Sequence, residues 1–384
     1  GDMGHGIAEN LAMVGINVHL FDISEEILQN AINRIRTSLK IFRRKHKINE
    51  EVNKVIGRIA TSTDFEQSTS NVDLVIEAVP EIMSLKRELL KNIENIYNTI
   101  LDVEIPIIAS NTSSFSIDSL VENLSERSKT KVCGMHFFNP TVLMKSVEII
   151  KGTQTSNETI STIVDLVKKM KKIGVVCKDS PGFVVNRVQA AAQILLCQAV
   201  EQNIIKPHQI DTKMKNMGIV QGPFETMDFS GLDVVAHAMN YMGKVLGPDY
   251  APPSWLSELV ESGKLGKKTG QGIYEWNKES GKAQIPNDEI TEKITPLDLM
   301  LVQINEATKL LENNIVQTPE EIDLLIKNGT ANPMGIFGLL KRLGKEKVIE
   351  CCQKYNKLLN LSCFEPTQLL INLQITEQHY NDFQ

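Results

Sequence analysis

The sequence predicts an α/β domain followed by two related all-α domains. Three observations carry that expectation. A glycine-rich turn, a helical pattern, an apolar run and a terminal acid stand in order at the start. Nearly continuous β-branched runs alternate with helical patterns as far as residue 179. The helical second half contains an internal repeat. At 384 residues the chain is long enough for two or three domains with large cores.

The first element is GDMGHGIAENLAMVGINVHLFD. GDMG has the form of the last two glycines of GxGxxG, so Gly1 would let the backbone approach a pyrophosphate and Gly4 would allow tight helix–strand packing. IAENLAMVG reads as a helix with Gly15 near its end, and NVHLFD as a strand ending in Asp22. A carboxylate there accepts hydrogen bonds from a ribose 2′-hydroxyl and repels a 2′-phosphate, which favours NAD over NADP. Glycines at a helix start are often only turn chemistry; turn, helix, strand and acid in order point to a dinucleotide. Such a turn follows a buried strand, so the sequence is expected to be a fragment, short by roughly ten residues.

SEEILQNAINRIRTSLKIFRRKHK reads as one long helix. Ser24 would cap it, the acids of its first turn suit the helix dipole, and RRKHK sits at the end where positive charge belongs. A solvated helix end and an anion site both remain open for RRKHK. DLVIEAV (73–79), PIIAS (106–110), VCGMHFF (132–138), VEIIKG (147–152) and GVVCKD (174–179) read as strands of a sheet covered on both faces. DSPGFVVNR breaks the chain at Pro181 and Gly182, and the pattern beyond is almost all helical. There EQNIIKPHQID (201–211) resembles ENNIVQTPEEID (312–323), each after a helical stretch and before a Gly-containing turn. The expected domains are 1–179, 180–280 and 290–384, and the last lacks PGFVVNR, which makes it more structural than catalytic.

MHFFNPTVLMKSVEIIKG is the stretch most suited to chemistry. His136 ends a strand, Asn139-Pro140 force a turn, and Glu148 sits on the next strand, so strand, turn and strand would bring Glu148 beside His136. A histidine held by a carboxylate keeps one tautomer and suits a general base; a buried structural histidine is the competing reading. SNTSS (110–114) follows another strand near the expected cofactor face, and either binds substrate or cofactor oxygens or only caps a turn.

The net charge of −6 argues against a general nucleic-acid binder. No apolar run spans a bilayer and no signal peptide is visible. The six cysteines show no CxxC pairing and no nearby histidine cluster, so no metal site is expected and they read as reduced thiols of a cytoplasmic protein.

GDMGHGIA, EAVPE, SNTSSFSI, HFFNPTVLMKSVEIIKG, CKDSPGFVVNR and GKKTGQGIYEW occur together in an order and spacing that resemble the L-3-hydroxyacyl-CoA dehydrogenase (3-hydroxybutyryl-CoA dehydrogenase) family. Any one motif is weak and six in order are specific. The likeness is strong over residues 1 to about 278, and 295–384 look like a second copy of the C-terminal domain, as in archaeal and multifunctional members. The resemblance implies a Rossmann-like NAD-binding domain followed by two helical domains like the C-terminal domain of 6-phosphogluconate dehydrogenase. It implies NAD-dependent oxidation of (S)-3-hydroxyacyl-CoA to 3-oxoacyl-CoA. By the same resemblance His136 takes the 3-hydroxyl proton, Glu148 orients it, Ser113 contacts substrate and nicotinamide, and Asn186 completes the site from the helical domain. Gly1, Gly4, Asp22, Glu81, Lys86, Ser113, Asn139 and Lys268 match the NAD positions. Ser38 and Lys45 match the CoA positions; seven residues apart, they share one helix face, which favours the anion reading of RRKHK. The implied assembly is a homodimer or monomer, with fusion to or association with an enoyl-CoA hydratase. Two rivals remain: a dehydrogenase of a free hydroxy or sugar acid, as gulonate dehydrogenase relatives are, and a non-catalytic structural relative, as in lens crystallins. Retention of His136, Glu148, Ser113 and Asn186 together argues against the second.

Overall fold

Short β-branched runs build the strands of the first half. A computed structural model describes residues 1–99, 104–330 and 334–373. One compact unit comprises Gly1–Phe183 with returns at Ile315–Gln317 and from Leu324; a second comprises Val184–Asn314, Thr318–Asp323 and the chain from Met334. In the first unit β1 (Val18–Phe21) and β2 (Ile59–Ser62) form a parallel pair of their own. The main sheet runs β3 (Leu74–Glu77), β4 (Ile107–Ser110), β5 (Val132–Phe137), β6 (Ser146–Lys151), β7 (Ile173–Lys178) in that order. Its neighbours are parallel except β5 and β6, which are antiparallel. β2, with its polar residues and only four positions, escapes a reading based on apolar runs.

The helices of this unit are α1 (Gly4–Met13), α2 (Glu25–Arg44), α3 (Met83–Thr99) and α4 (Asn157–Lys169). α2 buries Leu28, Ala31, Ile35, Leu39 and Phe42, a stripe at helical spacing. Ser24 occupies its N-cap position in extended backbone, but its side chain makes no capping hydrogen bond, contrary to expectation. Ile7 and Leu11 of α1 and Ile160, Ile163 and Val167 of α4 join Met135, Phe137, Val147 and Ile149 in one core. Side chains alternate across a strand, so His136 and Glu148 face away from that core.

A Cβ on Gly4 would meet only Ala78 at an ordinary 3.9 Å, whereas one on Gly6 would collide with the Thr141 side chain. A close approach that excludes a Cβ is thus made two residues further into α1, at Gly6, against the chain that leaves β5.

Glu9 also lies inside α1, only 1 % exposed, with one carboxylate oxygen lacking a hydrogen-bond partner. Burial pushes its carboxyl up to about 7, and the Ser38 hydroxyl opposes that only in part. A raised folded-state value means that the native protein favours the protonated form. Stability from Glu9 is thus complete below the unfolded value and is lost as pH rises from about 4.5 to about 7. Glu9→Gln is expected to match the parent at pH 4 and to exceed it at pH 8 by up to about 3 kcal/mol. Urea unfolding at both pH values checks this; an equal difference at each would count against it.

The second unit contains α5 (Val185–Glu201), α6 (Pro207–Asn216), α7 (Pro223–Ser230), α8 (Pro296–Glu312), α10 (Ile336–Leu343) and α11 (Lys345–Leu359); α9 (Pro319–Gly329) begins in it. The internal repeat has a shared device. Asp211 accepts from the backbone N–H groups of Phe224 and Glu225 at 3.0 and 2.8 Å, in the first turn of α7. Asp323 accepts from those of Ile336, Phe337 and Gly338 at 2.7, 2.8 and 3.0 Å, in the first turn of α10. Each carboxylate satisfies helix N–H groups that have no partner within the helix. Residues 331–333 and 374–384 of the expected third domain lie outside the described residues.

All six cysteines are buried free thiols. Among the described residues no helix is long and apolar enough to cross a membrane.

Candidate active site

The antiparallel register of β5 and β6 sets His136 directly opposite Glu148. His136 Nδ1 lies 2.5 Å from Glu148 Oε2, and the two residues are 5 % and 0 % exposed. The rings of Phe138 and Phe183 stand 4.9 and 5.8 Å from the imidazole. Nδ1 faces the carboxylate; in the tautomer that carries its proton there, the ring donates to Glu148 and Nε2 is the acceptor. A charge forming on the ring has its counter-charge in place.

Residues after β3 and β4 form a second polar group. Lys86, in α3 and 1 % exposed, donates to Glu77 Oε1 at 2.7 Å and pairs with Glu81 Oε2 at 3.2 Å. Ser110 Oγ donates to Glu77 Oε2 at 2.6 Å. Glu81 Oε1 accepts from Thr112 Oγ1 at 2.6 Å and from the backbone N–H groups of Ser113 and Ser114 at 3.0 Å each. Burial alone would push the Glu81 carboxyl up. The Lys86 charge and the hydroxyls of Thr112 and Ser114 outweigh it and hold the carboxyl below its ordinary value. The turn-bracing reading of SNTSS is what the contacts carry: Ser110, Thr112 and Ser114 brace the turn, while Ser113 stands exposed at its tip. Asn111 Oδ1 accepts from the Phe137 N–H at 2.9 Å, which ties this turn to the strand carrying His136.

Ser38 and Lys45 line one open cleft of about 690 Å³ along α2, together with Arg34, Lys47, Val142 and Leu143. Arg34 is a cleft residue that sequence reasoning missed, although it stands four before Ser38 on the same helix face. At the start of α1 no side chain caps the helix, and Asp22 follows β1 with its Oδ1 on the Ile23 N–H at 2.8 Å. An uncapped helix start and an acid after the next strand fit a dinucleotide. Asn139 is exposed, and its peptide bond to Pro140 is cis. Asn186 and Lys268 belong to the second unit, where Lys268 pairs with Asp233 at 2.5 Å.

Comparison with known proteins accounts for both units. Residues 1–180 match the model of the 3-hydroxyacyl-CoA dehydrogenase NAD binding domain, and residues 182–276 and 299–375 match that of the 3-hydroxyacyl-CoA dehydrogenase C-terminal domain. The chain belongs to the 3-hydroxyacyl-CoA dehydrogenase family. The mitochondrial hydroxyacyl-coenzyme A dehydrogenase of Sus scrofa is 38 % identical over 285 residues, 72 % of this chain and 88 % of that protein. The fatty acid oxidation complex subunit alpha of a Psychrobacter species is 33 % identical over 386 residues, 93 % of this chain and 52 % of that protein. A crystal structure of 3-hydroxybutyryl-CoA dehydrogenase from Escherichia coli shares the fold with a TM-score of 0.79 at 24 % identity, over 99 % of this chain and 98 % of that one. Within the family, the first unit carries the NAD-binding domain, and the C-terminal model matches the second half in two segments.

Proposed function

We propose that this protein oxidises (S)-3-hydroxyacyl-CoA to 3-oxoacyl-CoA with NAD, and that the buried His136–Glu148 pair is its general base. The observation that carries the reading is the 2.5 Å contact between a strand histidine and a strand carboxylate in a domain of NAD-binding type. NAD, when bound, accepts the hydride from the alcohol carbon. His136 Nε2 takes the hydroxyl proton, and Glu148 holds the ring through Nδ1 and balances the imidazolium charge. Ser113 contacts the substrate from the tip of its turn, and Asn186 is a further site residue. Gly1, Gly4, Asp22, Glu81, Lys86, Asn139 and Lys268 serve NAD; Glu81 and Lys86 do so by shaping the turn they brace. Ser38 and Lys45 hold the CoA moiety. The domains divide at 179/180 and between 280 and 290. The protein acts in the cytoplasm as a monomer or homodimer. The name of the Psychrobacter relative supports association with other fatty-acid oxidation enzymes. An enoyl-CoA hydratase, whose product this reaction consumes, suits that place.

The test is NADH formation by the full native protein from (S)-3-hydroxybutyryl-CoA and from free (S)-3-hydroxybutyrate. The CoA ester is expected to have at least a 10²-fold higher kcat/KM, because only it engages the α2 cleft. Equal turnover of the free acid would remove Ser38 and Lys45 from substrate binding and favour the hydroxy-acid rival.

A further inference from the structure

The chain turns sharply just ahead of α5. Gly182 sits at φ +73° and Phe183 at φ +48°, the latter a left-handed conformation that a bulky residue holds only when its surroundings impose it. Asn186 and Arg187 follow in the first turn of α5. Arg187 is buried, its Nε donates to Glu306 Oε1 of α8, and its guanidinium lies 4.9 Å from the centre of the Tyr250 ring. Glu306 is only 2 % exposed and also accepts from Lys309 Nζ at 2.8 Å and from the Tyr250 hydroxyl at 2.9 Å. Lys309 Nζ donates in addition to the Cys363 carbonyl at 2.5 Å. Burial alone would push the Glu306 carboxyl up; the Lys309 and Arg187 charges overcome this and hold it below its ordinary value. A buried carboxylate with charged and neutral donors on both oxygens is a stiff anchor. Glu306 and Lys309 come from the later helical repeat, which has no PGFVVNR segment of its own.

We infer that Glu306 is a positioning residue for the reaction: through Arg187 it sets the first turn of α5 and with it the side chain of Asn186. The inference rests on the reading of Asn186 as a site residue. The later helical repeat thus serves the site through Arg187. Residues 186 and 187 share one turn, so loosening the Arg187 anchor displaces Asn186, and a misplacement of about 1 Å costs up to about 10²-fold in rate.

The experiment compares Asn186→Ala, Glu306→Gln, the double variant and Glu306→Asp in the full-length protein. It reads kcat from NADH formation and NADH affinity from fluorescence. Glu306→Gln is expected to lower kcat by about tenfold to 10²-fold with NADH affinity within about twofold. In the Asn186→Ala background the same change is expected to lower kcat no further, since residues that act as a unit are not additive. Glu306→Asp, which keeps the charge, is expected to recover part of the loss. Losses that multiply in the double variant, or an unchanged kcat in Glu306→Gln, would overturn the inference while leaving Asn186 in place. An unchanged kcat in Asn186→Ala would instead remove Asn186 from the site, and the inference with it. If Glu306→Gln does not fold, Arg187→Lys takes its place: it keeps the ion pair and loses the planar fork over Tyr250. The same fall and the same non-additivity are expected, and full activity in Arg187→Lys would overturn the proposal.

Discussion

His136→Gln is expected to lower kcat by about 10³-fold, inside the 10²–10⁴ range of a positioned general base. NAD affinity should stay within about twofold, because the glycine turn and Asp22 are untouched. Glutamine preserves much of the volume between Phe138 and Phe183 and still offers polar atoms to Glu148. It cannot take a proton from an alcohol. The loss should therefore appear in kcat with KM nearly constant, the pattern of a group that acts in the transition state rather than in binding. Steady-state NADH formation from (S)-3-hydroxybutyryl-CoA, beside an NADH titration, measures both. Equal kcat in parent and variant would make His136 a satisfied core histidine, the reading its burial alone would favour.

Lys86→Met is expected to be the most destabilising of these substitutions, by roughly 3–5 kcal/mol, the cost of breaking one side of a buried ion pair. The reason lies in Glu77. Its side chain is fully buried, and after the change it keeps the Ser110 hydroxyl and the Val79 N–H but has no counter-charge. Methionine fills the space and supplies none. Glu81 loses the same cation, so the turn carrying Ser113 should loosen and KM for NAD should rise. Thermal unfolding should show a midpoint lower by roughly 10 °C for a domain of this size. The double change Lys86→Met with Glu77→Gln separates causes: it should recover much of the stability, because neither charge is then left alone. A midpoint within a degree of the parent for the single variant would show that the pair contributes nothing.

How much of this was legible beforehand varies by residue. His136 and Glu148 were readable because each interrupts an apolar strand and only a short turn separates the strands. Glu77 carries a similar signal, an acid within the apolar run DLVIEAV, but the run does not show its cation, which lies on a following helix. Glu81 matches a cofactor position by resemblance, but the motif does not show that its side chain turns to the backbone of Ser113 and Ser114. Gly6 could not be told from Gly4 by motif form, since the collision that requires a glycine is with Thr141, far along the chain. Glu306 was hidden inside an amphipathic helical stretch, where a single acid reads as an exposed position.

The sequence by itself determined the kinds of element, their order and the duplicated helical pattern, because helix and strand periods are written in neighbouring residues. Tertiary structure decided which polar groups are buried and with whom. Register places Glu148 on the face of His136, and a slip of one residue would have sent it to the opposite face. The deciding pairs join residues 9, 12, 33 and 119 positions apart: Lys86 with Glu77, His136 with Glu148, Ser110 with Glu77, and Arg187 with Glu306. A buried charge is tolerable only beside its partner, and no local pattern says which distant residue that partner will be.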